Sequence, residues 1–454
     1  MIAGPQRTLV RCCLVALLAT PAPGADGSAA TPGASVPKAS ANLTSNHLAA
    51  PLAGALPKWW KLGFEIRGRA DHYLNLDGTA GRDESYYLHR FRLNSTIAVR
   101  PWLRIFTQVQ DSRAVGYDRR PVPGAVANTV DLRQAYLDVG VHGESRWALR
   151  VGRQPLLFGD MRLVSTSNWS NVGPNYDAVR LTHSRPGVRL DWFASLVVTP
   201  QTGFDRPRPD KKLSGFYASF NSGKSRRSLD AYLLWKSNLH AVNEALRAGS
   251  LDVYTGGMRS AGTLGLGFDY NLELALQRGH IARDPLTAWA GHWEVGHRRR
   301  YAPEAPRLWF EYNYATGDRN PGDGRRQTFE QYYPSPWNVV GRAADIASRN
   351  LHEPLAGIEW QASRKWKFRS TLRAFWLANP RDHLYTLSGV LLAPRTGASQ
   401  TRVGRETGAW AIYQFSGHLQ LWAGYAGLLP GPYLRQVGKS SAIHYAFFVW
   451  TFTL

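Results

Sequence analysis

Residues 264–277 read LGLGFDYNLELALQ, and nearly every second side chain in this stretch is apolar. Successive side chains of a β-strand point to opposite faces, so an extended chain here has one apolar wall and one polar wall. A helix would scatter the same leucines around its whole circumference. The stretch therefore predicts a strand between an apolar and an aqueous environment. Its apolar face is Leu264, Leu266, Phe268, Tyr270, Leu272, Leu274 and Leu276, and its polar face is Asp269, Asn271, Glu273 and Gln277.

The same alternation recurs in about eighteen segments of roughly 8–14 residues, which is the length of a strand that crosses a bilayer at a tilt. No run of about 18 apolar residues follows the N-terminal region, so membrane-spanning helices are not expected. Clear further examples of alternation are 61–72, 87–99, 187–198, 366–378 and 443–453.

The connections between these segments alternate in length along the chain. Short ones, such as 100–101 and 184–186, are followed by long ones, such as 155–175 and 316–353. Outer-membrane barrels have short periplasmic turns and long extracellular loops, whereas a soluble sandwich has no reason to sort its loops in this way. The predicted fold is all-β: an antiparallel transmembrane β-barrel of about 18 strands.

Composition excludes several other classes of protein. The 454 residues include 17 Trp, which argues against disorder, and only two Cys, which are adjacent at Cys12 and Cys13. Two adjacent cysteines cannot form a disulfide framework, a CxxC pair or a cysteine zinc site. The 55 Lys and Arg against 33 Asp and Glu give a net charge of +22. An exported protein whose bases are spread over strands is not expected to bind nucleic acid.

The N-terminal region has the composition of an export signal. Arg7 and Arg11 precede the apolar stretch 12–19, which is too short to span a bilayer as a helix. The following residues are rich in Ala, Pro and Ser without any period, as in a linker. We therefore expect a signal peptide at 1–30, a periplasmic linker at 31–60 and the barrel at 61–454.

The polar faces of the predicted strands contain many bases, which are expected to face the lumen. Rings of Arg and Lys in a pore select anions, and a guanidinium group matches a carboxylate in bidentate geometry. Fewer acids are expected beside them. Two interpretations remain open at this stage, an anion-selective lumen and a mixed ion-pair network with weak selectivity. The predicted pore-lining residues are Arg67, Arg69, Arg90, Arg92, Arg104, Arg150, Arg180, Lys367, Arg369, Arg373 and Glu311.

A series of short motifs resembles the alginate export porin family. The motifs are DLRQAYLD at 131–138, VGRQ at 151–154, GDMRLV at 159–164, NWSN at 168–171, DAVRL at 177–181, EYNYATGD at 311–318 and FEQYYP at 329–334. The resemblance covers most of residues 61–454. It implies an eighteen-stranded outer-membrane barrel whose electropositive pore passes a polyuronate from the periplasm to the exterior.

The matched motifs add further candidates to the lumen. They are Arg133, Arg153 and Arg162 as pore-lining bases, and Asp160 and Asp177 as loop or constriction partners. Arg153 conflicts with the alternation of its own strand, which points it at lipid. Either a bulge at Gly152 re-aims this side chain or the strand ends before it.

The remaining features argue against catalysis and define the expected partners. No G-x-S-x-G elbow or HExxH helix is present, so no enzyme activity is expected. The Asp- and Gly-rich segment 317–324 lacks the closing Glu of a calcium loop and is better explained as a polar turn. No cofactor or metal is expected, and loop 316–353 is long enough to fold into the pore. The expected partners are an anionic polysaccharide or a small anionic solute, outer-membrane lipid and lipopolysaccharide, and periplasmic export components.

Overall fold

The structure is a computed structural model that describes residues 56–454 except 120, 142–143, 223–225, 244–246, 300–303, 337–340, 388, 390 and 395–399. The expected signal peptide and nearly all of the expected linker lie outside the described residues. Across the described residues, no helix is long and apolar enough to cross a membrane. A short helix, α1, spans Pro432–Gln436, and a 3-10 turn spans Leu76–Gly78.

The strands follow one another along the chain as antiparallel hairpins. They are β1 (Trp60–Leu74), β2 (Glu84–Arg100), β3 (Leu103–Val115), β4 (Asn128–Val139), β5 (Trp147–Gln154), β6 (Asn175–Arg185), β7 (Val188–Val198), β8 (Pro207–Ser222), β9 (Arg227–Val242), β10 (Ala248–Gly265), β11 (Phe268–Ile281), β12 (Asp284–Arg298), β13 (Arg307–Ala315), β14 (Leu351–Gln361), β15 (Trp366–Leu377), β16 (Leu384–Tyr385), β17 (Leu391–Ala393), β18 (Arg402–Gln414), β19 (Leu419–Pro430) and β20 (Ile443–Thr453).

Eighteen of these strands form one closed antiparallel barrel, and β16 and β17 form a small separate hairpin. Closure comes from β1 pairing with β20, in a register that runs from Glu65 opposite Thr453 to Leu74 opposite His444. A closed barrel leaves no sheet edge unpaired, which a strand in lipid requires. The predicted fold class and strand number are confirmed.

The stretch at 264–277 is not one strand, which corrects the expectation drawn from its alternation. Strand β10 ends at Gly265, and β11 begins at Phe268. Between them, Gly265, Leu266 and Gly267 all have positive φ, as a tight hairpin turn requires. The alternation of apolar residues in the sequence therefore continues through a turn that separates two strands. Leu266, within this turn, is 71% exposed.

The two faces of the wall differ as the alternation requires. On β11, Leu274 and Leu276 are exposed on the outer, lipid-facing surface, whereas Asn271 and Gln277 are buried inside. Several strands also extend further than alternation predicted. For example, β9 ends at Val242 and β10 begins at Ala248, so the connection between them is short.

Apolar residues of two long connections pack inside the barrel. Leu156 and Val164, from the connection between β5 and β6, are essentially inaccessible to solvent. They belong to one buried cluster with Phe329 and Tyr332, which come from the connection between β13 and β14. The remaining members of this cluster come mainly from the inner faces of β6 to β12. These connections therefore occupy part of the lumen, and apolar burial fixes them there.

Candidate functional site

The connection at 155–174, which we call the crossing loop, spans the lumen from one wall to the other. At one end, Asp160 accepts a hydrogen bond from Arg259 of β10 at 2.6 Å. At the other end, the backbone carbonyl of Asn168 accepts a hydrogen bond from Arg67 of β1 at 2.7 Å. Strands β1 and β10 are nine positions apart in the ring of eighteen, so they lie on opposite walls. Eight residues can reach at most about 28 Å, enough to cross a barrel of this size.

Five arginines face the far end of the crossing loop, and we call them the cationic cluster. All five are buried, with 1 to 7% of each residue exposed. Their register is unusual, because Arg67 lies directly opposite Arg90 on the neighbouring strand. Like charges in directly opposed positions destabilise a sheet unless other groups compensate them. The members of the cluster are Arg67, Arg69, Arg90, Arg92 and Arg133.

Carboxylates compensate only part of this charge. Glu65 pairs with Arg90 at 2.6 Å and lies 3.6 Å from Arg92, while Asp71 pairs with Arg69 at 2.9 Å. Within the described part of the chain, Arg67 and Arg133 form no ion pair. These two donate to carbonyls of the crossing loop instead. Neutral acceptors thus occupy positions where a carboxylate would bind a guanidinium group more strongly.

The contacts of the remaining cluster donors show how tightly the loop is held. Arg67 also reaches the carbonyls of Trp169 and Ser170, and Arg69 donates to the Trp169 carbonyl at 2.6 Å. The guanidinium of Arg69 stacks 4.5 Å from the centre of the Trp169 ring. The Nε atoms of Arg67 and Arg133 are buried without a hydrogen-bond partner among the described atoms. The cluster therefore has N–H groups that are available to a further acceptor.

A β-bulge brings Arg133 into the lumen. The register between β3 and β4 shifts where Gln134 pairs with Gln108 but Leu132 pairs with Val109, so Arg133 is the extra residue. Asp131 and Asp138 are both buried although they are seven residues apart, which strict alternation would not allow. A bulge re-aims side chains in this way, and here it places Arg133 against the carbonyl of Gly173.

The middle of the crossing loop is anchored on β12 and β13 through Arg162. Its guanidinium donates to Glu311 at 2.9 Å and to Asn313 at 3.2 Å, and it lies 3.3 Å from a ring nitrogen of His292. Burial alone would lower the pKa of Arg162, but Glu311 and Asp160 outweigh burial and raise it above its ordinary value. Arg162 therefore remains a cation. The structure brings the predicted residues Arg162, Asp160 and Glu311 together in one network.

The other predicted bases of the inner wall each lie beside a carboxylate. Among the described residues that are buried, 17 are Asp or Glu and 11 are Lys or Arg, so acids are not scarce in the buried interior. Desolvation explains this pairing, because a buried charge needs a carboxylate or another strong acceptor, and Arg67 and Arg133 have backbone carbonyls in that place. The pairs are Arg104–Glu144 (3.0 Å), Arg150–Asp138 (2.6 Å), Arg180–Asp191 (2.9 Å), Lys367–Glu359 (3.1 Å), Arg369–Glu359 (3.9 Å) and Arg373–Glu353 (2.7 Å).

Arg153 and Asp177 are corrected from lumen candidates to an ion pair on the outer face. They lie opposite each other on β5 and β6 and pair at 2.8 Å. Asp177 shares its face with Val179, which is 50% exposed, and the register shows no shift at Gly152. The alternation therefore holds through Arg153, and the expected bulge lies at Arg133 instead. The carbonyl of Asp205 also accepts a hydrogen bond from Arg153, at 3.1 Å.

The connection between β13 and β14, residues 316–350, packs on the inner wall beside the crossing loop. Glu330 pairs with Arg349 and Lys236 at 2.7 Å and with Arg326 at 3.0 Å. Burial would raise the pKa of Glu330, but these three cations outweigh burial and hold it below its usual range. Tyr333 forms a β-bridge with Val164 of the crossing loop. The two connections therefore support each other.

Sequence reasoning missed that the crossing loop spans the lumen, and it missed several bases that hold the loops. The missed bases are Lys236, Arg259, Arg326 and Arg349. The length of 155–175 and the two motifs within it were the available signals. No group of three or more His, Cys, Asp or Glu in the described ranges is arranged to hold a metal ion. In the segment at 317–324, the backbone of Asn320 donates to Asp318, as in a polar turn.

Solved porin structures share this fold at low sequence identity. OccAB3 of Acinetobacter baumannii matches with a TM-score of 0.62 at 9% identity, covering 87% of this chain and 99% of that chain. A BenF-like porin from Pseudomonas fluorescens Pf-5 gives a TM-score of 0.61 at 9% identity, covering 87% and 99%. Pseudomonas aeruginosa OccK2 (OpdF), solved in complex with glucuronate, gives 0.58 at 10%, covering 87% and 96%. These likenesses establish the fold of the chain.

The family comparison adds what the fold cannot give. No curated protein matches the sequence. The family model for alginate export matches residues 58–449 and confirms the resemblance seen in the motifs. With the porin fold, this match places the protein in the bacterial outer membrane as a channel. Since the family pattern runs from just before β1 into β20, the last strand of the closed barrel, the chain belongs to the alginate export family.

Proposed function

We propose that this channel passes an anionic polysaccharide, an alginate-like polyuronate, across the outer membrane by passive diffusion and without chemical change. Membership of the alginate export family supports the direction of transport and the class of solute. The single structural observation that carries the proposal is the cationic cluster, in which Arg67 lies opposite Arg90. Among the described residues, the hydrogen-bond acceptors of Arg67 are three backbone carbonyls of the crossing loop and the side-chain amide oxygen of Asn171. Such an arrangement of cations suits a ligand that supplies carboxylates.

The mechanism follows from an exchange of acceptors. When the crossing loop lies against the cationic cluster, its carbonyls receive the guanidinium donors. Hydrogen bonds from a cation to a carboxylate are about twice as strong as those to a neutral acceptor. A uronate chain entering the lumen therefore competes with the loop for Arg67 and Arg133. Displacement of the loop opens the path, and the next residue of the polymer displaces the last.

A small-anion porin is the second candidate. Two observations favour it: most inner-wall bases are already paired with acids, and a solved structure of the same fold holds the single sugar acid glucuronate. A lumen of balanced ion pairs gives weak selectivity for charge and none for polymer length. A monomeric acid would then pass as readily as an oligomer.

Planar-bilayer recording in a KCl gradient tests the proposal. The refolded protein should show anion-selective current, and polyuronate oligomers should block it at concentrations where glucuronate does not. Arg67→Gln should shorten the blocked state by about tenfold, the effect of about 1.4 kcal/mol of lost binding. The matched control is Arg113→Gln, since Arg113 is exposed and pairs with Asp111 away from the lumen.

The outcomes separate the two candidates. Oligomer block that weakens in the Arg67 variant and persists in the Arg113 variant supports polysaccharide passage. Equal block by oligomer and glucuronate indicates a small-anion porin. Current with weak selectivity and without block by either solute contradicts polysaccharide passage and favours a general or small-anion porin on this fold.

A further inference from the structure

The two rims of the barrel differ sharply in charge. Among the described residues, the short turns and the strand residues that flank them have 11 Lys and Arg against two Asp and Glu. The long connections and their flanking residues have 15 against 12, and some of these, such as Arg162 and Glu330, lie inside the barrel. The buried interior holds more acids than bases. A large share of the excess positive charge of the chain therefore lies on the short-turn rim, which faces the periplasm in outer-membrane barrels.

Nine described bases of the periplasmic rim are exposed, and we call them the periplasmic collar. Within the described part of the chain, none of the nine forms an ion pair. On the opposite rim some of the exposed bases are paired, Arg82 with Asp77 at 2.9 Å and Arg119 with Glu84 at 3.0 Å. The members of the collar are Lys58, Arg100, Arg146, Arg185, Arg226, Arg227, Arg299, Arg364 and Lys365.

The collar surrounds the mouth instead of forming one patch. Its members lie before β1 and on six of the hairpins between β2 and β15. Neighbouring hairpins are about 12 Å apart on a barrel of tilted strands spaced about 4.8 Å. The Debye length at physiological ionic strength is about 8 Å, which is shorter than this spacing, so a small anion is attracted mainly by the nearest turn. An extended polyanion, in contrast, can lie across several turns of the mouth at once.

We propose that the periplasmic collar captures the anionic polysaccharide from the periplasm and so sets the rate at which it enters the lumen. This inference rests on the proposed function and adds the place where the polymer first binds. A flexible polymer with one carboxylate per sugar can contact several separated turns at once, and many weak contacts then act as one strong site. A small anion reaches only one turn at a time. The collar thus favours polymer over monomer before the paired interior is reached.

Two multiple variants test the collar in the full-length protein. The collar variant replaces five exposed members with Gln, and the control variant replaces five exposed arginines of the long-loop rim with Gln. The collar changes are Arg185→Gln, Arg226→Gln, Arg227→Gln, Arg364→Gln and Lys365→Gln. The control changes are Arg206→Gln, Arg319→Gln, Arg325→Gln, Arg381→Gln and Arg435→Gln.

Binding and block are then measured separately. Fluorescence anisotropy of a labelled polyuronate oligomer reports binding to the detergent-solubilised protein at low salt. Planar-bilayer recording, with oligomer added to one side at a time, reports the on-rate of block from each side. The collar variant should weaken binding about tenfold and slow block about tenfold from one side only, because steering of an anion by clustered charge has at least this magnitude. Both effects should shrink in 0.5 M KCl, and the control variant should retain wild-type entry from that side.

The two readouts can fail independently. If the wild type binds oligomer and the collar variant does not, the role of the collar in binding is supported. If in that case no block of current is seen, only the proposed channel function fails. If oligomer blocks the wild type and the collar variant at equal rates from both sides, the collar is overturned and polysaccharide passage stands. If the wild type does not bind oligomer at all, the collar is likewise overturned; its bases then serve lipid phosphates or an acidic periplasmic protein.

Discussion

At the scale of single residues, the arginines of the lumen fall into two groups with different roles. Arg373 lies between Glu353 at 2.7 Å and Glu406 at 3.5 Å, and these acids neutralise its charge. Arg67 and Arg133 end on backbone carbonyls of the crossing loop. Arginines of the first group stabilise the wall through ion pairs. Those of the second group have no carboxylate partner among the described residues, so a ligand could supply one. Residue type alone does not separate the groups.

Removing Arg373 should therefore destabilise the barrel far more than removing Arg369. Arg373→Gln leaves two carboxylates in a buried site, at a cost of about 3–5 kcal/mol. Arg369→Gln removes a contact 4.4 Å from the Trp309 ring and a 3.9 Å pair, worth about 1 kcal/mol. Urea unfolding of the refolded protein in detergent, followed by tryptophan fluorescence, measures both. Equal losses in the two variants would contradict this division of roles.

Asp205 is expected to make stability depend on pH. Burial, opposed by a hydrogen bond from the backbone of Gln201 and assisted by the charge of Asp131, raises the pKa of Asp205 from 3.8 to about 6. The native state then holds the proton more tightly than the unfolded state. The stability contributed by the protonated group is complete below pH 3.8 and is lost as the pH rises to about 6.

Asp205→Asn should remove this loss, because an amide does not ionise. Thermal unfolding in detergent between pH 4 and 8 should show the variant gaining on the wild type as the pH rises, with no further gain once Asp205 is fully ionised. Asp118→Asn, at an exposed position, is the control and should parallel the wild type. A constant difference between variant and wild type at every pH would rule out the titration of Asp205 as the cause.

At the scale of elements, the crossing loop decides how much of the lumen is open. Strands β5 and β6 are paired neighbours, so a short turn can replace residues 157–172 without stretching the chain. An eighteen-stranded barrel is wide enough for an aqueous channel, and the shortened variant should raise single-channel conductance by about twofold or more. The same operation on 75–83, whose contacts are mostly local, is the control. Unchanged conductance after removal of the loop would mean that another segment limits the current.

The crossing loop also shows which structural elements alternation could not predict. Alternation located the strands because each has one lipid face, and it placed the residues of β15 on their observed faces. It misjudged the hairpin at Gly265–Gly267, because two glycines around an exposed leucine imitate a strand. It could not place a loop whose contacts lie 100 residues away in sequence. Such contacts depend on closure of the barrel, which brings β1 and the crossing loop together.

At the scale of the whole molecule, folding sorts the charges into three regions. The interior holds mostly ion pairs, with Arg67 and Arg133 as exceptions that meet backbone carbonyls. Among the described residues, the long connections have nearly as many acids as bases, and the short-turn rim is strongly basic. The reason is desolvation, which tolerates an unpaired cation on a wet rim and penalises one inside the wall. A large share of the +22 excess in the composition therefore lies on the short-turn rim. Selection of anions by this channel is expected to begin at the periplasmic mouth.

The sequence by itself determined the wall of this protein, since a strand between lipid and water must alternate at every second residue and turns and loops must fall on opposite rims. The motifs also determined its family. Tertiary structure alone decided which charged side chains form ion pairs and which contact neutral acceptors. The bulge that turns Arg133 inward, the outer pairing of Arg153 with Asp177 and the carbonyls that meet Arg67 all depend on register and on contacts across the lumen. Pairing energy depends on distance and burial, and neither is a property of a residue's position in the chain.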